Sequence, residues 1–212
     1  MNIDNLLAGR TQKMSVNTIR EILKVVAQPG MVSLAGGIPA PESFPLDILQ
    51  VLTTNVLEKY GPAALQYDPT EGFDPLRKAL AHDLGSRKGI QASPEEIFIA
   101  SGSQGVLDAA GKIFISKGNP IAVESPTYLG AIQAFDPYEP RYVTMESDDH
   151  GLIPESLDNV LARETVKFIY LVPTFQNPTG RTIPLERRRH IADIIQARDA
   201  LLIEDDPYGD LR

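Results

Sequence analysis

From about residue 96 onward the sequence alternates short apolar, β-branched runs with longer helical patterns, and this alternation narrows the possible folds more than any other feature. The runs are EIFIA (96–100), PIAVES (120–125), RYVTME (141–146), VKFIYLVP (166–173) and ALLIEDD (200–206). Strands separated by helix-length segments are joined by crossovers, so they predict a parallel sheet with helices on its faces. The expected fold class is α/β, a doubly wound, mostly parallel sheet with an N-terminal helical segment. In such a sheet ligands bind outside the carboxyl ends of the strands, so the residues following each strand are the ones to read.

The last helix is expected to hold Pro184 in its first turn, where no hydrogen-bonded N–H is needed. Ile191, Ile194 and Ile195 then line one face, and Arg187, Arg188 and Arg189 are expected on the solvated side. Before residue 96 the pattern differs. SVNTIREILKVVAQPG carries Val16, Ile19, Ile22, Leu23 and Val26 at helical spacing and breaks at Pro29-Gly30. Two more helices are expected near 46–59 and 75–86, separated by the ordered loop YGPAALQYDPTEGF.

Composition removes several function classes. The 212 residues carry a net charge of −8, and apart from Arg187 to Arg189 the 20 basic residues are scattered, so no footprint for nucleic acid is present. Cysteine is absent, which excludes a disulfide framework and a zinc ribbon and fits a cytoplasmic setting. The N-terminus MNIDNLLAGRTQK lacks a signal peptide's apolar core, and no apolar run approaches membrane-spanning length. His82, His150 and His190 are too dispersed for a metal-ligand motif.

Four strand ends carry candidate chemistry. After EIFIA, the glycine-containing turn SGSQ feeds a helix whose N-terminal N–H groups suit a phosphate, with Ser103 and Gln104 as side-chain donors; Ser103 as a simple helix cap is the competing reading. Neither G-x-G-x-x-G nor a P-loop is present, so dinucleotides and nucleoside triphosphates are not favoured. After PIAVES comes Tyr128, either a stacking surface or plain packing. After VKFIYLVP comes Asn177, in what can equally be an ordinary Asn-Pro turn. After LLIE come Asp205 and Tyr208. A carboxylate at a strand tip needs a cationic or hydrogen-bonding partner, and a metal, an arginine or a protonated heterocyclic nitrogen can each answer. The nitrogen alone unites all four sites. Pyridoxal 5′-phosphate has a phosphate, a flat ring, a ring oxygen and a basic ring nitrogen that a carboxylate keeps protonated.

With SLAGGIPAPESFP, LQYDPTEGFDPLRKAL, ASGSQGVLDAAGKIF, ESPTYLGAIQAF, LVPTFQNPTGRTI and IEDDPYGDLR running in order over nearly its whole length, the sequence resembles the fold type I pyridoxal-phosphate aminotransferases of class I/II. The resemblance is to the subgroup acting on 2-aminoadipate, kynurenine, and aromatic or branched-chain amino acids. It implies that Ser103 and Gln104 hold the cofactor phosphate, Tyr128 stacks on the ring, Asn177 and Tyr208 bind the ring oxygen, and Asp205 pairs with the ring nitrogen. By the same resemblance Tyr67 reaches the cofactor phosphate of a second subunit in a homodimer. Gly37, Arg20 and Asn177 would meet the substrate, Arg20 through an acidic side chain. The implied domains are an N-terminal helical arm of the small domain over 1–45 and a pyridoxal-phosphate-binding large domain over 46–212, incomplete at its C-terminus. The implied reaction passes an amino group to a 2-oxo acid, with 2-oxoglutarate the expected acceptor.

The sequence departs from the family pattern in two places. Gly105 stands where the family often has a second glutamine. The family's Schiff-base lysine and two arginines that bind phosphate and substrate carboxylate follow the D-x-x-Y motif, and none of Lys13, Lys24, Lys59, Lys78, Lys88, Lys112, Lys117 or Lys167 lies in a matching motif. The chain is therefore expected to be the N-terminal part of an aminotransferase, without turnover by itself. A non-catalytic aminotransferase-like fragment and the ligand-sensing module of a regulator are the alternatives.

Overall fold

In the computed structural model of the protein, residues 3–13 and 39–211 are described. The contacts within the chain divide it into two units, Met1–Ser15 with Ser101–Arg212, and Val16–Ala100. The helix expected from Val16 to Val26 lies outside the described residues.

In the second unit, helices α1 (Leu46–Tyr60) and α2 (Asp74–Asp83) occupy the two expected positions. α2 continues as a single π turn over Leu84–Lys88, which ends at Gly89 in the left-handed conformation. The Tyr60 and Phe73 rings meet edge to face at 5.2 Å. The strand expected at 96–100 is absent. A 3-10 turn over Pro94–Glu96 takes its place, closed by a capping box in which Glu96 Oε2 accepts the Ser93 N–H at 2.8 Å. Beyond it Ile97 is extended, but the segment has no ladder partner among the described residues. The Ile99 N–H donates to the Glu71 carbonyl at 3.0 Å, and the Ile97 carbonyl accepts from Arg77 Nε at 2.9 Å. β-branched residues supply a strand's surface, whereas its existence depends on a neighbour that takes its backbone groups.

In the first unit, α3 (Ser103–Phe114) precedes β1 (Pro120–Glu124), which is followed by α4 (Leu129–Phe135) and β2 (Arg141–Met145). A two-stranded antiparallel ribbon, β3 (Ser147–Asp148) with β4 (Gly151–Leu152), leads into α5 (Pro154–Arg163), β5 (Ile169–Leu171), α6 (Leu185–Ala197) and β6 (Leu202–Glu204). The main sheet is parallel in the order β2-β1-β5-β6. β1 therefore sits between the strand that follows it and the one to which the chain returns, and the topological switch point lies between β1 and β5.

Alternation along the central strands assigns side chains to two cores. Ile121, Val123, Phe168, Tyr170 and Val172 pack with Leu107 of α3 and with Ala131, Ala134 and Phe135 of α4. Ala122, Ile169 and Leu171 face the other way, against Leu157 of α5 and Ile191 of α6. A strand buried on both faces reads as a continuous apolar run, which is why β1 and β5 were visible in the sequence.

The arginine run corrects an expectation. Pro184 occupies the residue before α6, and Ile191, Ile194 and Ile195 pack inward as anticipated, yet only Arg189 is fully solvated, paired with Glu186. Arg187 grips Asp148 of the ribbon at 2.6 Å and holds that carboxyl down at about 2. Arg188 is half-buried and donates to the carbonyls of Ile183 and Pro173, each at 2.8 Å, and to Thr174 Oγ1 at 3.0 Å. It thus ties the start of α6 to the loop leaving β5. Losing several charge-assisted bonds from partly buried acceptors costs about 2–3 kcal/mol, while an exposed i,i+3 pair contributes about 0.5 kcal/mol or less. Urea unfolding of the Arg188→Ala and Arg189→Ala variants should therefore show a large loss for the first and almost none for the second. Equal losses would contradict the assignment.

Candidate functional site

The parallel sheet gathers its carboxyl-end loops at the switch point, and there Ser103, Tyr128, Val172, Asn177, Asp205, Pro207 and Tyr208 line a cavity of about 100 Å³. Ser103, Tyr128, Asn177, Asp205 and Tyr208 were all singled out in the sequence. Clefts of about 700 Å³ and 610 Å³ elsewhere on this unit are larger, but they lie on the flanks of α5 and include none of the candidate residues.

Each wall has a local cause. Gly102 caps α3 at φ 88°, ψ 159°, a region essentially restricted to glycine, and this turn makes Ser103 the first helical residue instead of the cap considered for it. The first backbone N–H groups of α3 consequently have no partner within the helix. Gln104 is not part of the cavity wall; its Nε2 donates to the Gly130 carbonyl at 3.0 Å, joining α3 to the loop after β1. In that loop the Tyr128 ring lies back against Gly130, where a Cβ would come within 2.4 Å of it, so only glycine leaves room for the ring. Thr127 Oγ1, one residue earlier, is buried without a hydrogen-bond partner.

The loop carrying Asn177 is held by its neighbour. Gln176, buried to 4% exposure, donates through Nε2 to the Pro126 carbonyl at 2.8 Å and accepts at Oε1 from the Thr179 N–H and hydroxyl at 2.9 and 2.7 Å. The loops after β1 and β5 are thereby locked together. Asp205 follows β6 directly; its N–H donates to the Leu171 carbonyl at 2.9 Å and its Oδ2 accepts from the Tyr170 hydroxyl at 2.7 Å.

Sequence reading missed Tyr170 and Glu124, which look like ordinary members of strands β5 and β1. Glu124, the last residue of β1, is 3% exposed and accepts the Val172 N–H at 3.2 Å where the β1–β5 ladder opens. Burial pushes its carboxyl up to about 7, against the opposing pull of that N–H. An acid ending an apolar strand was the available signal, the same one that identified Asp205.

Tyr67 belongs to the Val16–Ala100 unit and is 98% exposed there; Gly37 and Arg20 lie outside the described residues. Among the described residues no group of acids and histidines could hold a metal, no lysine lines the cavity, and no helix is long and apolar enough to cross a membrane.

Comparison with known proteins follows the same lines. The model of the family "Aminotransferase class I and II" matches residues 31–211. Aromatic-amino-acid aminotransferase 1 of Thermococcus litoralis is 45% identical, covering 100% of this chain and 52% of its own length. The solved Pyrococcus horikoshii kynurenine aminotransferase, in complex with PMP, superposes with a TM-score of 0.92 at 41% identity over 100% of this chain and 53% of that one. The alpha-aminoadipate aminotransferase of Thermus thermophilus, complexed with N-(5′-phosphopyridoxyl)-L-leucine, gives 0.85 at 39% identity over 97% and 50%. The chain spans about half the length of the relatives it matches.

Glu124 makes stability depend on pH in a predictable sense. Unfolded, its carboxyl ionises near 4.5; folded, near 7. Between these values the folded state keeps a proton that the unfolded state has released, so stability is full below the window and falls as pH rises through it, by about 3 kcal/mol in all. Glu124→Gln keeps an acceptor for Val172 and cannot ionise. Unfolding free energy measured across the window should lose its downward slope in the variant, which becomes the more stable form above pH 7. A parent and variant with parallel profiles would exclude a protonated Glu124.

Proposed function

The chain belongs to the aminotransferase class I and II family, and from that premise we propose that its gene product is a pyridoxal 5′-phosphate-dependent aminotransferase. Its donor is an aromatic, kynurenine-like, 2-aminoadipate-like or branched-chain amino acid, and its acceptor is a 2-oxo acid such as 2-oxoglutarate. One observation carries the reading: Ser103, Tyr128, Asn177, Asp205 and Tyr208, drawn from four separate loops, converge on a single cavity at the switch point. The solved relatives' own complexes, with PMP and with a phosphopyridoxyl amino acid, support the same cofactor class.

The donor set fits the group. The N-terminal N–H groups of α3 and the Ser103 hydroxyl offer an anion site beside a glycine-only turn, with Gln104 contributing its backbone N–H while its amide braces Gly130. Thr127 Oγ1, in the residue before Tyr128, is an unused buried group, and the Tyr128 ring supplies a flat face. Asn177 and Tyr208 provide donors for a ring oxygen. Asp205, its Oδ2 engaged by Tyr170, presents a carboxylate to hold a proton on a ring nitrogen. Bound pyridoxal phosphate supplies an electron sink for the charge released when a donor loses its α-proton.

The rest of the reading concerns assembly. It is of a cytoplasmic homodimer in which Tyr67 completes the phosphate site of the partner copy, and in which Gly37, Arg20 and Asn177 contact the substrate. An arm over 1–45 and a large domain from 46 frame it. Since no lysine lines the cavity among the described residues, residues 1–212 are expected to offer a cofactor shell without turnover.

The test uses the full gene product. Loaded with pyridoxal phosphate, it should change absorbance on addition of an aromatic amino acid, kynurenine, a branched-chain amino acid or 2-aminoadipate and return on addition of 2-oxoglutarate. Asp205→Asn should lower kcat by about 100-fold, the scale of losing one preorganised charge contact to the reacting group. Failure of the full product to bind the cofactor would overturn the proposal, and binding without any response to amino donors would favour a sensing module.

A further inference from the structure

Beneath the cavity, one buried hydroxyl is aimed at a single oxygen of the acid at the tip of β6. Tyr170 is fully buried in the middle of β5, its ring held edge-on to Phe135 at 5.9 Å between centroids, in the core shared with α3 and α4. The β5–β6 register sets Tyr170 opposite Ile203, and Asp205 follows two residues later on the same face. That diagonal relation is within reach of a long aromatic side chain, and the hydroxyl closes it at 2.7 Å to Oδ2. Oδ1 takes no hydrogen bond from any described residue, and Asp205 itself lines the cavity.

The direction of the bond is settled by chemistry. Burial foremost, then the bond to Asp205 and the charges of Asp205, Tyr128 and Glu124, raises the Tyr170 phenol far above its ordinary value, so it stays protonated and donates. Resting on the cofactor reading above, we infer that Tyr170 is a positioning residue: its hydroxyl fixes Asp205 with Oδ1 toward the cavity and biases the shared proton onto the ring nitrogen of the cofactor.

The bias follows from competition for one proton. A carboxylate and a pyridine nitrogen in a small, half-dry site can hold it on either partner, as an ion pair or as two neutral groups. A donor to Oδ2 stabilises the ionised carboxylate and favours the ion pair. Without the donor, the proton moves toward Asp205 and the ring loses part of its capacity to draw electrons from a substrate. Nothing in this role requires Tyr170 to touch the ligand.

The experiment is nitrogen-15 NMR of the full gene product loaded with ring-labelled pyridoxal 5′-phosphate. The parent should give a pyridinium resonance at neutral pH. In Tyr170→Phe, which keeps the buried ring and loses only the hydroxyl, the resonance should move toward neutral pyridine. Replacing Tyr170 by a fluorotyrosine, a more acidic phenol of nearly the same size, should move it the other way and provides the reading if the phenylalanine variant does not fold. A resonance that stays at the parent position in the folded variants overturns the inference alone. A parent that binds the cofactor with an unprotonated ring, or does not bind it, overturns the role of Asp205 and this inference with it.

Discussion

The parallel pairing of β1 with β5 is the constraint on which the other features of the Ser101–Arg212 unit depend. β1 is followed by β2 on one side, yet the chain comes back to β1's other side through α5, so the two central strands have their successors leading away in opposite directions. Ile121, Val123 and Tyr170 on one face, and Ala122, Ile169 and Leu171 on the other, leave no solvated side for a loop to cross. The connections are therefore displaced to the strand ends. Their divergence at the carboxyl end creates a concave site that no single segment could form.

Two acids end neighbouring parts of this sheet and meet opposite conditions. Glu124 ends β1 inside the core, facing a backbone N–H and apolar walls, so the uncharged form is the better tolerated one there. Asp205 stands one residue beyond β6, half-buried, with a phenol on one oxygen, and it lines the cavity. The residue types are nearly the same and the spacing from each strand alike. The difference comes from what surrounds each carboxyl: full burial beside one backbone N–H for Glu124, and a phenol donor at the cavity wall for Asp205.

The loops around the site are rigid for reasons that can be named. Gln176 satisfies all of its side-chain polar atoms by bridging the loops after β1 and β5, and Arg188 binds the base of the second loop from α6. Gly130 makes space for Tyr128, and Gly102 turns the chain into α3. A site built this way brings its donors to a ligand with little ordering left to do, which is the general advantage of a preorganised pocket.

The alternation of apolar runs and helical patterns determined the fold class, and the order of the motifs determined which loops to inspect. Ser103, Tyr128, Asn177, Asp205 and Tyr208 were legible because each follows a strand or opens a helix, where a polar residue has a positional meaning. Tyr170, Glu124 and Arg188 were not. An aromatic in a strand looks like core, and arginines in a run look like solvated surface, because sequence specifies a side chain's chemistry and its period but not what lies across from it. The strand expected at 96–100 is absent for the same reason, since its pattern was right and it has no neighbour among the described residues. Sequence by itself settled the kinds of groups available and the strand ends at which they stand. Only the tertiary structure decided which of them share a cavity, which acid is buried and which hydroxyl meets it, because hydrogen bonds and burial are relations between segments that lie far apart along the chain.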